Sequence, residues 1–332
     1  MGARKPFLFG APKYDLRHAV VLAGLLVLLI TPVVGDAYVI RVASRIVVLA
    51  LVAISLDVLI GYSGLISFGH AMFLGSGGYV VGVLAYVGVG NGFIAYPAAI
   101  IISVLLALIV GYLVLRTTGV YFIMITLAFA QMLYYVANGV RIGEDYGGDE
   151  GLPLTGRSPL FGILDFNDPT SFHYLCVAIL ALVLFFCWRL VNSRFGRVLQ
   201  AAKDNNRRVN SLGYNTFRYR LVAFMISGGI AGLGGALHMN LQKFISPDEL
   251  HWVISGDLLI MVIVGGAKSL IGPVIGTGVF VLLEEVISGI TEHWMIIFGP
   301  LLILVVLFGR EGIYGFIRPK EKPTGDPKGD AG

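Results

Sequence analysis

The feature that most constrains this chain is a succession of long apolar runs joined by short polar segments. Runs near 37–60, 93–115, 172–191 and 219–241 each approach the length of about 20 residues that a helix needs to cross a bilayer. In lipid every backbone polar group must be paired internally, and within a single run only a helix does this. The composition agrees. Hydrophobic residues make up 57% and charged residues 13% of the chain, against about 25% charged in a soluble domain. Glycine, at 44 residues, is commoner in membrane helices than in soluble ones. The expected class is an all-α polytopic membrane protein. The net charge of +4 does not argue for nucleic acid, because the basic residues collect in loops facing one compartment.

Taken in order, the chain predicts about ten transmembrane helices, near 19–34, 37–60, 65–89, 93–115, 119–138, 172–191, 219–241, 253–266, 270–288 and 293–309. Residues 1–18 form a basic N-terminus ahead of the first run. That pattern resembles a signal peptide, but the long polar region and the want of a clean cleavage site favour a first span. With the N-terminus in the cytoplasm, nearly every exposed Arg and Lys falls inside, and the acidic connection 139–171 falls outside. Eight or nine crossings remain open if a broken segment re-enters. The segment 310–332 is charged and rich in Pro and Gly, and reads as a disordered cytoplasmic tail. The localisation that follows is a bacterial inner membrane, multi-pass, with both termini cytoplasmic.

Between two of the spans lies the polar stretch 192–218, with Arg194, Arg197, Lys203, Arg207, Arg208 and Arg218 against one acid, Asp204. Val198, Leu199, Ala202, Val209 and Leu212 share roughly one helical face. This predicts a short amphipathic helix over Arg197 to Leu212, ended by Gly213 and Asn215 and held at the cytoplasmic surface by the spans on either side.

Two glycine-broken stretches, 61–78 and 265–278, occupy corresponding places in the two halves of the chain, which suggests two pseudo-repeated halves. Paired interruptions point to a transport path at a repeat interface. Gly64, Ser67, His70, Gly75, Gly265, Gly266 and Pro273 are the candidate path residues. Tight helix packing would explain the same glycines, and both readings bury these segments in protein.

Other motifs fall away. GGAKS at Gly265–Ser269 resembles the end of a phosphate-binding loop, but Val262 and Ala267 stand where that pattern needs glycines. LPLTG at Leu152–Gly156 matches a cell-wall sorting signal, yet lies mid-chain. There is no nucleophile–base or metal-ligand arrangement, so no catalytic or metal residue is assigned and the chain is not expected to be an enzyme. Cys176 and Cys187 read as small apolar residues of one segment. Ionisable residues inside spans are functional candidates by default. Arg41, Arg45, Asp57, Asp257, Glu284 and Glu285 qualify, with snorkelling or a structural ion pair as the plain alternative.

The stretch from Arg194 to Pro247, with SRFGRVLQAAKDNN, LGYNTFRYRLVAFMISGGIAGLGGAL and FISPD, resembles the LivM-type permeases of branched-chain amino acid ABC importers. GYSGLISFGHAMFLGSGGY at Gly61–Tyr79, TTGVYFIMITLAFAQ at Thr117–Gln131, GGDEGL at Gly147–Leu152 and LLIMVIVGGAKSLIGPVIGTGVF at Leu258–Phe280 extend the likeness in the same order. The resemblance implies a permease forming half of a translocation path for a branched-chain or related amino acid. Relatives carry urea or amides, and an ion-coupled secondary transporter is the alternative from another class. The implied partners are a second permease subunit, two cytosolic ATPase subunits and a periplasmic solute-binding protein. ATP is used by the partners, and this chain itself holds no cofactor. The resemblance also makes the amphipathic element a coupling helix that docks on the ATPase, mapping to Asp204, Asn205, Asn206, Arg207, Arg208, Leu212 and Gly213. The family usually has small and acidic residues before the glycine. Arg207 to Ser211 depart from this, so the partner groove is expected to be more acidic.

Overall fold

The computed structural model describes residues 35–140, 147–154, 156–158 and 168–290, with scattered residues at 24, 27–32, 293, 296, 298–300 and 312–313. The expected N-terminus 1–18, most of the spans 19–34 and 293–309, the tail 310–332 apart from 312–313, and much of the connection 139–171 lie outside them.

The described helices are α1 Ala37–Asp57, α2 His70–Tyr86, α3 Gly92–Val114, α4 Val120–Gly139, α5 Pro169–Asn192, α6 Arg194–Asp204, α7 Asn206–Ser211, α8 Thr216–Gln242, α9 Trp252–Gly265 and α10 Gly272–Ser288. By length and composition, five among the described residues suffice to cross a membrane: α1 with its continuation to Ser63, α3, α4, α5 and α8. The helices α2 and α10 have 17 residues each and α9 has 14.

At the centre stand α1 and α8. From Val47 to Leu59 every residue of α1 and its continuation is buried, as a helix that is apolar all round should be. Around it pack α5, α8, α9 and α10, while α8 also packs against α2 and α3. The glycines of α8 permit the closest approach. A Cβ on Gly235 would overlap the Leu74 carbonyl of α2, and one on Gly77 would overlap the Gly232 carbonyl. The α9–α10 crossing is built alike, with Gly265 against the Gly272 carbonyl and Gly276 against that of Met261. Small residues at such crossings let backbones touch and replace hydrophobic driving force with van der Waals contact. Peripheral α3, α4 and α5 leave Ile101, Leu105, Tyr121, Met124, Leu182 and Phe185 exposed, a surface suited to lipid.

At one end of the bundle a two-residue antiparallel ladder joins β1, Leu152–Pro153, to β2, Phe244–Ile245. Leu154 N–H extends it to the Lys243 carbonyl at 2.8 Å.

Three expectations change. The run 65–89 is not helical throughout: α1 passes into a π-helical turn at Val58–Ser63, Gly64 closes that turn at φ 73°, and α2 begins only at His70. The single amphipathic helix Arg197 to Leu212 is two helices, α6 and α7. Asn205 between them is extended, at φ −153° and ψ 94°, and its side-chain oxygen accepts the Arg208 N–H at 3.0 Å. An asparagine that caps a new helix competes with continuing the old one. Leu212 consequently leaves the apolar face and is 70% exposed. In its described residues the acidic connection holds a 3-10 turn at Gly148–Glu150 and the two-residue strand β1.

Candidate functional site

The amphipathic element starts at the end of α5. Ser193 Oγ caps α6 by accepting the Gly196 N–H at 3.3 Å, and Leu199 and Ala202 bury its apolar face. Arg220 at the start of α8 donates to the Ala202 carbonyl at 3.2 Å, so α6 is held from both flanking helices. Beyond the break at Asn205 only Val209 of α7 is buried. Asp204, Asn205, Asn206, Arg207, Arg208, Leu212 and Gly213 all lie on the exposed side. Gly213 sits at φ +88° with no atom within 4 Å of where a Cβ would be. The result is a projecting tip, Leu212–Gly213–Tyr214, with an apolar crown above arginines.

Below this tip, at the same end of the bundle, the two interrupted stretches meet. Asp57 closes α1 and is fully buried. One of its carboxylate oxygens accepts the Lys268 N–H at 2.8 Å, and the other accepts the Leu270 N–H at 3.3 Å. Those amides belong to the linker between α9 and α10, where Lys268 and Leu270 hold φ of 72° and 41°. Non-glycine residues rarely enter this region, and they stay there when surrounding bonds over-determine them. Ser269 adds to the hold, donating to the Gly266 carbonyl at 2.7 Å and accepting the Gly272 N–H at 2.9 Å. Tyr62 of the π turn donates to the Lys268 carbonyl at 3.0 Å.

Lys203 of α6 reaches the same spot. Its Nζ donates to the carbonyls of Ile60 and Gly61 at 3.1 and 2.8 Å. These carbonyls end a helix and would otherwise lack partners, and a cation is favourable at that pole. Burial lowers the Lys203 ammonium below its ordinary value. Nearby Lys268 adds to this, while Asp57 and Asp204 oppose it.

The candidate path residues divide. Gly64 is exposed, and a shallow cleft there is lined by Gly64, Leu65, Ile66, Gly119, Phe122 and Ile123. Ser67 and His70 are fully buried. Neighbours hold the unwound run 64–69 and the start of α2: Thr126 of α4 accepts the Phe68 N–H at 3.1 Å, and Ser255 of α9 accepts the N–H of Ala71, in the first turn of α2, at 2.9 Å. His70 Nε2 lies 2.9 Å from Ser227 Oγ, which donates to the Ser55 carbonyl at 2.5 Å. With the Ser227 proton committed, Nε2–H is the donor to it, which fixes the tautomer. Gly75 faces the side chain of Leu250, and Gly265 faces the α10 backbone. Gly266 and Pro273 are buried beside that crossing.

Asp57 was legible as an ionisable residue inside an apolar run, but its partner was not, because no local spacing signals a bond to a distant amide. Elsewhere, Arg45 and Glu284 pair through two hydrogen bonds of 2.9 and 3.0 Å. Tyr38 donates to Glu285. At the opposite end of the bundle, Asn240 accepts the Ser158 N–H at 2.8 Å and Arg157 donates to its carbonyl at 3.1 Å. His238 pairs there with Glu249 at 3.1 Å. Among the described residues no three His, Cys, Asp or Glu side chains gather as a metal would require.

Comparison with known proteins places this architecture. Residues 38–306 match the family described as branched-chain amino acid transport system, permease component. The high-affinity branched-chain amino acid transport system permease protein LivM of Salmonella typhimurium is 27% identical, covering 87% of this chain and 73% of the relative. LivM of Escherichia coli K12 is 26% identical over 95% of this chain and 79% of its own length. LivH of the same organism is 25% identical over 80% and 91%. No solved structure matches significantly. With its apolar helices, the chain is a multi-pass membrane protein of a transport rather than an enzyme family. A family match that spans most of the chain, and likeness to LivM over 87–95% of it, make this chain a LivM-type member of the family of branched-chain amino acid transport permeases.

Proposed function

We propose that this chain is one permease subunit of an inner-membrane ABC importer and forms half of the path for a branched-chain or related amino acid. Membership of the family implies ATPase and binding-protein partners in general. The particular assembly proposed is this chain with a second, non-identical permease, two cytosolic ATPases and a periplasmic binding protein. The chain crosses the membrane about ten times in two pseudo-repeated halves. Both termini and the Asp57 end of the bundle face the cytoplasm, and the β1–β2 end faces outward. ATP is bound and hydrolysed by the partners, and this chain holds no cofactor.

The observation that carries the reading is the α6–α7 element, tethered at both ends to long apolar helices yet exposed from Asn205 to Asn215 except at Val209. An ATPase groove that is acidic and has an apolar floor would receive the exposed Leu212 and Gly213 together with Arg207 and Arg208. The cleft at Gly64 lies beside Lys203 of this element, where a path would open toward the cytoplasm, with the buried Ser67 and His70 following it in the chain.

The test is uptake of labelled leucine and of urea into vesicles holding the assembled importer, with internal ATP or with an ion gradient alone. ATP-dependent leucine uptake supports the reading. Uptake driven by the gradient and indifferent to ATP would overturn it in favour of a secondary transporter. ATP-dependent urea uptake without leucine uptake would reassign the solute.

A further inference from the structure

We propose that Asp57 and Lys203 form a latch through which the α6–α7 element controls both interrupted segments at once. The inference rests on the importer reading and deepens it, by naming the residues that join the cytosolic element to the membrane helices.

Three otherwise separate pieces of chain converge on one turn of backbone. Asp57 ends α1 and grips the amides of Lys268 and Leu270 in the α9–α10 linker. Lys203 comes from the last turn of α6 and holds the Ile60 and Gly61 carbonyls in the turn that follows Asp57. Tyr62, in the same turn, holds the Lys268 carbonyl. Packing leaves little slack. A Cβ on Gly61 would lie 2.5 Å from Asp57 Oδ1 and 2.7 Å from the Lys268 nitrogen. One on Gly64 would lie 2.9 Å from Lys203 Cγ.

The position of the α6–α7 break sharpens the inference. Asn205 lies two residues after Lys203, so a push on α7 enters α6 at the turn that carries the latch. The α6 helix has 11 residues, and Arg220 holds the same last turn through the Ala202 carbonyl, next to Lys203. Displacement of that end therefore strains the Lys203 bonds together with the Arg220 bond. Those bonds sit on a π turn, a weaker and more adjustable form than the α-helix before it. The linker opposite is already in left-handed conformations that only its bonds sustain. Both sides of the latch are thus poised to rearrange when it is moved. Among the described residues, the bonds that reach the buried Asp57 carboxylate come from the Lys268 and Leu270 backbone amides, which ties it to the linker's conformation.

The experiment measures leucine taken up per ATP hydrolysed by the reconstituted importer, for wild type, Lys203→Met, Lys203→Arg and Asp57→Asn. Lys203→Met keeps the length of the side chain and removes the donor. It is expected to leave assembly and ATP hydrolysis in place and to lower the uptake ratio by about tenfold, as loss of two charge-assisted bonds at a mechanical link would. Lys203→Arg retains a cationic donor and restores most of the ratio. Asp57→Asn, as a single variant, lowers it too. The double variant falls no further than the worse single one, because residues acting as one unit are not additive. A purely structural role would move assembly or thermal stability and leave the ratio alone. If Lys203→Met does not assemble, Asp57→Asn carries the same test. An unchanged ratio in the assembled variants overturns the latch. Absence of ATP-driven uptake by the wild-type complex overturns the importer reading instead.

Discussion

The carboxylate of Asp57 and the backbone amide of Lys268 meet at 2.8 Å across 211 positions of sequence. That bond joins the end of the central helix α1 to the linker between α9 and α10, and so brings the two glycine-broken stretches of the chain to one place.

Removing the Asp57 carboxylate strands two amides, the part-buried one of Lys268 and the buried one of Leu270. Asp57→Ala is expected to destabilise the protein by about 1–3 kcal/mol for each unsatisfied group. Asp57→Asn keeps one acceptor oxygen and should lose less. Thermal unfolding in detergent checks this. Equal midpoints for wild type and Asp57→Ala would show that the amides find other partners.

The α2–α8 crossing has no room for a methyl group. Gly235→Ala forces a Cβ into the Leu74 carbonyl, and overpacking of this kind costs about 1–3 kcal/mol or more. Gly139→Ala, at the end of α4, meets nothing within 4 Å and should be neutral or slightly stabilising through helix propensity. The yield of folded protein from membranes and its unfolding midpoint separate the two. Similar behaviour of both variants would contradict the close crossing.

The Arg45–Glu284 pair links α1 to α10 in a part-buried setting, with side chains 31% and 19% exposed. Arg45→Ala leaves the part-buried Glu284 carboxylate without this partner. A loss of about 1.5–3 kcal/mol is expected for charge-assisted bonds. The exchange Arg45→Glu with Glu284→Arg should recover most of it, and a double-mutant cycle on thermal stability measures the coupling. A coupling energy near zero would leave the pair without structural weight.

Lys203 predicts a pH dependence. Burial, with Lys268 nearby, holds its folded-state value below the ordinary 10.5, against the opposing pull of Asp57 and Asp204. As pH rises toward the ordinary value, the folded protein releases this proton before the unfolded chain does. Stability therefore rises across that window, and below it the penalty of burying the charge is fully present. Unfolding midpoints against alkaline pH should rise less steeply in Lys203→Met than in wild type. Identical slopes would remove Lys203 as the source.

Much of the helical architecture could be read from the chain because apolar runs of membrane length have one way to satisfy their backbone. The interruption after Gly61 was also visible, in its glycines. What was not legible depended on single backbone bonds. The asparagines at 205 and 206 sit in a polar run with good helical periodicity, and only the cap from Asn205 to Arg208 N–H reveals that the helix restarts. That restart turns Leu212 outward, against the face that periodicity gave it. The pairing of Leu152 with Ile245 was hidden too, since a two-residue ladder leaves no alternating pattern to find. For Asp57, the sequence marked the residue and could not name the amides that it holds.

The most direct test of the account is ATP-driven leucine uptake by the assembled importer carrying Gly213→Trp, beside Gly213→Asn. Asparagine tolerates the left-handed backbone, and within this chain nothing lies near the Gly213 Cβ position. The account predicts that Gly213→Asn transports, while Gly213→Trp folds and inserts but loses ATPase docking and uptake together. Full ATP-driven uptake by the Gly213→Trp complex would contradict the assignment of the Leu212–Gly213 tip as the surface that meets the ATPase.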